Sequence, residues 1–266
     1  MESAIVAQPD PDDPVLCVQD LSKSFGGVRA VRNVDLDVPS GSIFSIIGPN
    51  GAGKTSLINM VSGFYKPDSG SVRFAGADIT GLRPNQRARR GIARTFQNIA
   101  LFRGMSVLDN IMLGRHVHMR SGLLPSFVYF GPVRREEARH RERAEQIIDF
   151  LKLTGLRKQS TGALAYGFQK RVELGRALAL EPKLLMLDEP MAGMNQEEKE
   201  DMARFVLDVN AEWGTTIVLI EHDMGVVMDI STTVAVLDQG KKIAEGPPSH
   251  VASDPEVIQA YLGTSD

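Results

Sequence analysis

The stretch from residue 42 to residue 61 constrains this chain most. Ser42–Ile47 (SIFSII) is a continuous apolar run that ends at Gly48. The next residues, Gly48-Pro49-Asn50-Gly51-Ala52-Gly53-Lys54-Thr55, satisfy G-x-x-x-x-G-K-[ST]. Thr55–Val61 then has the apolar spacing of a helix, and Gly63 stops it. A buried strand, a glycine-rich turn and a helix in that order leave few architectures open. The glycines let successive backbone N–H groups curl inward toward phosphate oxygens, and the helix adds its positive N-terminal dipole. Lys54 is placed to reach the β- and γ-phosphates and the Thr55 hydroxyl to ligate Mg²⁺, with Ser56 completing the expected nucleotide contacts. The prediction is a site for ATP and Mg²⁺ on an α/β sheet.

A second element agrees. Leu184-Leu-Met-Leu-Asp188-Glu189-Pro190 carries two adjacent carboxylates to the end of an apolar strand, the edge where open α/β sheets bind ligands. Asp188 is expected to hold Mg²⁺ through water, and Glu189 to act as the general base on the attacking water. The runs LLML, TTIVLI and TVAVL alternate with helical stretches at Glu197–Trp213 and Asp223–Asp229, which predicts a parallel sheet. His222 follows the apolar strand Thr216–Ile220, so it should emerge at the same edge as Asp188 and Glu189.

Upstream, Leu16–Asp20 and Val34–Val38 alternate as half-buried antiparallel strands do. Ser71–Phe74 with the Gly76-Ala77-Asp78 turn reads as a hairpin. Residues from about Asn98 to Ala165 turn helical, with Ala144, Ile147, Ile148 and Leu151 on one face of Arg134–Lys152. The predicted fold class is therefore α/β: a P-loop NTPase core with a parallel sheet, an N-terminal antiparallel β subdomain and a helical subdomain. Residues 1–14, which include PDPDDP, are expected to be a disordered tail and 263–266 a short one. Between them 15–262 is a single ATPase domain, with 15–97 and 171–262 as the ATP-binding core and 98–170 as the helical subdomain.

Charge and cysteine content narrow the function. Lys plus Arg is 30 against 33 Asp plus Glu, a net charge of −3, which argues against a protein built to grip nucleic acid. The one cysteine, Cys17, cannot form an internal disulfide. No apolar run approaches the ~18 residues of a membrane span. Glu2 and Asp10 stand where a signal peptide would be basic and then apolar. The expectation is a soluble protein of a reducing compartment with no anchor of its own. The five arginines between Arg83 and Arg94 read as solvated helix faces, and His116 and His118 are spaced wrongly for one helix face. Leu123–Phe130 (LLPSFVYF) reads as local core or as a patch for docking a partner.

Four further motifs fall in a familiar order. They are SKSFGG with Phe25, RTFQN with Gln97, ALAYGFQKRVELGRALA just before the Asp188 strand, and IEHDM with His222. With them, Leu16 to Leu262 resembles the ATP-binding subunits of ABC transporters. The resemblance implies that Phe25 stacks on adenine, that Gln97 joins the core to the helical subdomain and reaches the metal, and that His222 contacts the γ-phosphate. It makes Ala165-Tyr166-Gly167-Phe168-Gln169 the signature stretch, whose Tyr166, Gly167 and Gln169 would face the nucleotide of a second subunit. Here Tyr166 replaces a serine and Phe168 a glycine. Gly167 and the N-terminus of a helix expected at Lys170–Leu180 keep anion binding through backbone N–H groups. Asn195 stands where the family usually has Asp.

The AYG signature, the GMN segment, IEHDM, the closing VIQAYLG and the insertion between Gly114 and Arg143 resemble one subgroup, the larger ATPase of branched-chain amino acid uptake systems. That resemblance implies a second ABC ATPase as dimer partner, like or unlike this one. It also implies two multi-span permease subunits, an indirect link to a substrate-binding receptor, and a place on the cytoplasmic face of the inner membrane. The competing readings are a soluble ABC-type ATPase of DNA repair or translation, and an importer of another small substrate such as urea or amides.

Overall fold

The computed structural model describes residues 14–118 and 132–262. The chain begins with β1 (Pro14–Phe25) and β2 (Val28–Pro39), a long antiparallel hairpin. Along β2, Val34, Leu36 and Val38 are buried while Asn33, Asp35 and Asp37 are exposed, the period-two pattern of a sheet with one face on the core. After β3 (Ile43–Ile47), the strands β4 (Ser69–Phe74) and β5 (Ala77–Asp78) complete this sheet in the order β2-β1-β4-β5. Pro14 belongs to β1 and pairs with Pro39, so the expected tail ends one residue too late. A proline is tolerated as the first residue of a strand, where no ladder donor is needed. Residues 1–13, 263–266 and the candidate docking patch Leu123–Phe130 lie outside the described residues.

The second sheet adds β6 (Ile92–Arg94), β7 (Leu184–Asp188), β8 (Thr216–Ile220), β9 (Thr233–Asp238) and β10 (Lys241–Gly246). Its order is β10-β9-β3-β8-β7-β6, parallel throughout except for β10 against β9. Every residue of β3, β7 and β8 is buried. That is why these strands read as unbroken apolar runs rather than as alternation. Because β3, β8 and β7 are neighbours, their carboxyl ends bring the phosphate loop, His222 and the Asp188-Glu189 pair side by side.

Helices cover both faces of this sheet. On one face α1 (Lys54–Val61) and the antiparallel sheet pack with Phe44, Ile46, Met186, Val218 and Ile220. A short α2 (Pro84–Ala88) precedes β6. On the other face lie α3 (Val107–Arg115), α4 (Pro132–Phe150), α5 (Tyr166–Leu178) and α6 (Gln196–Trp213). They enclose a core that contains Ile111, Ile147, Ile148, Val172, Phe205 and strand residues such as Leu185 and Leu219. The chain closes with α7 (Met224–Ile230), α8 (Pro248–Ala252) and α9 (Pro255–Leu262). Among the described residues no helix is long and apolar enough to cross a membrane.

Two expectations need correction. The helix of the signature stretch starts at Tyr166, four residues before Lys170, and ends at Leu178. An aromatic and a glycine are poor helix formers, but Gly167 packs against Glu198 of α6, and tertiary contact overrides propensity. The arginine run is not all solvated. Arg87 is 1% exposed and donates to the carbonyls of Met60 at 2.8 Å, Val61 at 2.6 Å, Thr80 at 2.9 Å and Leu82 at 3.0 Å. It thus satisfies the orphan carbonyls at the end of α1, and burial pushes its pKa down to about 10. The Arg94 side chain is only 7% exposed.

Candidate nucleotide site

The phosphate loop is shaped by backbone that only glycine supplies cheaply. Gly48 has φ +145°, and a Cβ there would lie 2.0 Å from the Leu237 carbonyl oxygen. Gly53, the N-cap of α1, has φ +102°, and its Cβ would lie 2.3 Å from the Ala30 carbonyl oxygen. No side chain caps α1, so its first N–H groups are left for an anion. Lys54 is 6% exposed, and its Nζ donates to Gly48 O at 2.6 Å and Pro49 O at 3.0 Å. Burial lowers its pKa, against the opposing pull of the Glu189 and Asp188 carboxylates. The loop borders a cavity of about 280 Å³ whose wall includes residues 50–53, Lys54, Thr55, Ser56, Gln97, Glu189 and His222. From the C-terminal side, the Gly48 backbone N–H hydrogen-bonds the Tyr261 hydroxyl of α9.

Glu189 follows β7 with φ +50°, a left-handed conformation for a residue that has a Cβ. Such strain costs on the order of 1–3 kcal/mol and persists only where the surroundings fix it. They do here: Glu189 N–H donates to Ile220 O at 2.9 Å. Gln97 Nε2 donates to Glu189 Oε2 at 2.8 Å, and His222 Nε2 pairs with Oε1. The carboxylate is 12% exposed and His222 46%. Two carriers of this geometry lie inside the IEHDM and ALAYGFQKRVELGRALA stretches without being singled out there. Glu221 is buried, and its carboxylate accepts from Met191 N–H at 2.8 Å and from His222 N–H at 3.0 Å, tying the segment after Glu189 to the histidine. Burial raises its pKa. Lys170, buried on α5, donates to Gln97 O at 3.1 Å and Glu189 O at 3.4 Å. The available signal was faint, a charge closing the apolar run of β8 and another inside the signature helix.

Asp188 sits deeper, 3% exposed, and is not on the cavity wall. Arg94 Nη2 donates to its Oδ2 at 2.8 Å, while Oδ1 makes no hydrogen bond among the described residues. The Thr55 hydroxyl, the Gln97 amide oxygen and Asp188 are hard oxygen donors of the kind Mg²⁺ takes. Removing one partner of so buried an ion pair costs about 3–5 kcal/mol.

The remaining expected residues fall in two other places. Phe25, 41% exposed, stands at the tip of the β1–β2 hairpin in an edge contact with Tyr65, ring centres 5.1 Å apart. Asp68 fixes that tip, accepting from Lys23 Nζ and Ser24 N–H, both at 2.7 Å, and these bonds hold its carboxyl below its usual pKa. The signature and Asn195 form a second group away from the cavity. Ala165 is the N-cap of α5 and offers no side-chain bond, so the position of a capping hydroxyl is Ala165 rather than Tyr166. The Tyr166 ring packs near Gly193, and a Cβ on Gly167 would lie 2.3 Å from Glu198 Oε1. Gln169 Nε2 donates to Leu164 O at 2.8 Å. Asn195 Oδ1 accepts from Glu198 N–H at 2.9 Å, and Glu198 Oε2 accepts from Asn195 N–H at 3.1 Å, a reciprocal cap on α6.

A glycine-bound anion cradle on β3, with a strand-end carboxylate beside it, defines a nucleoside triphosphatase of the P-loop class. The particular family follows from comparison with known proteins. This chain belongs to the ABC transporter ATP-binding family: the ABC transporter family model matches residues 31–192. A second model, the branched-chain amino acid ATP-binding cassette transporter, matches residues 241–266. The chain is 41% identical over 250 residues to the high-affinity branched-chain amino acid transport ATP-binding protein BraF of Pseudomonas aeruginosa, covering 94% of this chain and 98% of that one. It is 40% identical over 250 residues to LivG of Escherichia coli K12, with the same coverage. Among solved structures, it matches the ADP conformation of an ATP-binding cassette at a TM-score of 0.82 and 37% identity, over 94% of this chain and 99% of that one. A nucleotide-free cassette matches at 0.81 and 36%, over 93% and 98%. The chain is an ATP-binding cassette ATPase of the transporter type.

Proposed function

We propose that this chain hydrolyses ATP with Mg²⁺ on the cytoplasmic face of the inner membrane, as one of two cassette subunits powering an importer of branched-chain amino acids. The names of BraF and LivG and the family matched at 241–266 support this cargo. They favour it over a DNA-repair or translation ATPase and over an importer of urea or amides. In this reading the chain is a single domain at 14–262, its expected start at 15 moved by the one residue that β1 adds, with a helical part at 98–170.

In this reading the N–H groups of the phosphate loop and Lys54 Nζ bind the β- and γ-phosphates. Phosphate oxygens replace the Gly48 and Pro49 carbonyls as partners of Lys54. Mg²⁺, when bound, neutralises charge on the transferred phosphoryl group; Thr55, Gln97 and Asp188 are the residues that would hold it. Glu189 takes the proton of the attacking water, and Gln97 and His222 aim its two oxygens. Phe25 would stack on the adenine. A facing subunit would bring Tyr166, Gly167, Gln169 and Asn195, with the uncapped start of α5 directed at the γ-phosphate. Closure of the dimer would be passed to two permease subunits, loaded from outside by a receptor, with no nucleic acid involved.

The observation that carries the proposal is the Glu189 carboxylate, held at both oxygens on the wall of the phosphate cavity. Reconstitution in proteoliposomes tests the whole reading. ATP turnover should rise several-fold when the permeases and a leucine-loaded receptor are present. Turnover that ignores permeases and receptor, or that answers only to a urea or amide receptor, contradicts it.

A further inference from the structure

Arg94 has no task in that mechanism, yet it is among the most tightly held side chains near the site. It ends the edge strand β6, and Asp188 ends β7 beside it. The two side chains are 7% and 3% exposed. Beyond its bond to Asp188, Arg94 Nη1 donates to Asn59 Oδ1 at 2.6 Å and Ser62 Oγ at 3.0 Å, at the far end of the phosphate-loop helix. The guanidinium carbon lies 5.1 Å from the ring centre of Phe96 and 5.8 Å from that of Phe64. Arg94 Nε is buried without a partner among the described residues. The group is therefore placed for what Nη1 and Nη2 do, even though Nε is left unsatisfied. Packing does not call for a cation here, since the preceding Ile92 and Ala93 are apolar and buried.

We infer that Arg94 is a positioning residue for the Mg²⁺ carboxylate. It neutralises Asp188 while the metal is absent and pins Oδ2, so that Oδ1 stays available to the metal. The inference rests on the proposed role of Asp188 as the Mg²⁺ carboxylate. A carboxylate this buried must be paired or must take a proton. The charges of Lys54 and Lys170 also reach Asp188, but Lys54 is needed for phosphate and Lys170 is engaged with Gln97 and Glu189. Arg94 leaves both free for those partners. Its grip uses one nitrogen on one oxygen rather than a fork, so it orients the carboxylate without closing it. A fixed cation beside the ligand also weakens the carboxylate's pull on a second cation, which keeps metal binding reversible.

The test follows binding rather than turnover. A fluorescent ATP analogue is titrated with Mg²⁺ on the wild type, Arg94→Met, Arg94→Lys and Asp188→Asn, and each is melted with and without Mg²⁺ and analogue. In Arg94→Met the lost charge outweighs the lost orientation, so about tenfold less Mg²⁺ should be needed for half-saturation, and Arg94→Lys should stay close to the wild type. Metal-free Arg94→Met should melt lower than the wild type, and the gap should shrink when Mg²⁺ and analogue are both present. The double variant Arg94→Met with Asp188→Asn should melt higher than Arg94→Met alone, which keeps the test open if the single variant folds poorly. An unchanged Mg²⁺ requirement in Arg94→Met, or melting effects that simply add, overturns the inference. If Asp188→Asn also leaves the Mg²⁺ requirement unchanged, the role of Asp188 itself falls; if only Asp188→Asn raises it, the failure is confined to Arg94.

Discussion

The carboxyl edge of the parallel sheet and the start of α5 carry equally recognisable residues, but the chain treats them in opposite ways. At the sheet edge three charged side chains are engaged: Glu189 by Gln97 and His222, Asp188 by Arg94, Lys54 by two carbonyls. At the start of α5, Ala165 supplies no cap, Tyr166 is 43% exposed, and the neighbouring helix end is occupied by its own Asn195–Glu198 cap. One region is the organised half of the proposed catalytic site. The other is a helix end without a side-chain cap, with Glu198 of α6 packed beside its Gly167. The contrast is what two copies sharing their sites would require, each lending its open end to the other's organised edge.

The largest expected effect lies at the organised edge. Glu189→Gln should keep ATP affinity and lower turnover about a thousandfold or more, roughly 4 kcal/mol of barrier. Phosphate release and nucleotide binding, measured on the same sample, check this, and near-normal hydrolysis would remove Glu189 as the base. Next is a pair of glycines, one from each region. In Gly53→Ala the new Cβ meets a backbone carbonyl at positive φ, so loss of nucleotide binding and at least about 1 kcal/mol of stability are expected. In Gly167→Ala it meets the end of the flexible Glu198 side chain, so the loss in a denaturant melt should be smaller. If the order reverses, the contrast between a backbone-locked edge and an adaptable helix end is wrong.

Glu221→Gln probes the tie between Met191 and His222. The carboxylate accepts two backbone N–H groups, whereas an amide presents a donor to one of them. Turnover should fall about tenfold with ATP KM little changed, since the residue aims His222 and does not touch nucleotide. Burial raises the pKa of Glu221, and the charges that face it are Lys170, Lys199 and His222. As pH falls through that raised pKa the wild type gains a proton and loses an acceptor, so its activity should drop on the acid side. Glu221→Gln should lack that drop. For stability the sign is opposite. The folded state holds this proton more tightly than the unfolded one, so the penalty of ionised Glu221 is absent at low pH and sets in as pH rises through the folded pKa. The smallest effect belongs to the open end. Asn195→Ala should cost about 1 kcal/mol through loss of the α6 cap, and Asn195→Asp should stay within a few tenths.

These contrasts also explain what the sequence could disclose. The phosphate loop, Asp188, Glu189 and His222 were legible because each follows an apolar strand, and a parallel sheet puts those strand ends on one edge. Gln97 and Asn195 were legible only through resemblance, since alone each is an ordinary amide. Arg87 and Arg94 were misread as solvated because composition cannot tell which members of an arginine run turn inward. Their partners lie 26 and 94 residues away at Val61 and Asp188. Glu221 and Lys170 act on backbone groups, which leave no mark in a side-chain pattern. The start of α5 was placed late because Tyr166 and Gly167 look unlike a helix start until Glu198 is seen packed against Gly167.

The shared-site claim can be tested directly by sedimentation of Glu189→Gln over a range of protein concentrations, with and without ATP and Mg²⁺. Slowed hydrolysis should let the closed pair accumulate, so the protein should be monomeric without nucleotide and dimeric with it. Glu189→Gln that binds ATP but stays monomeric at every concentration would contradict the account.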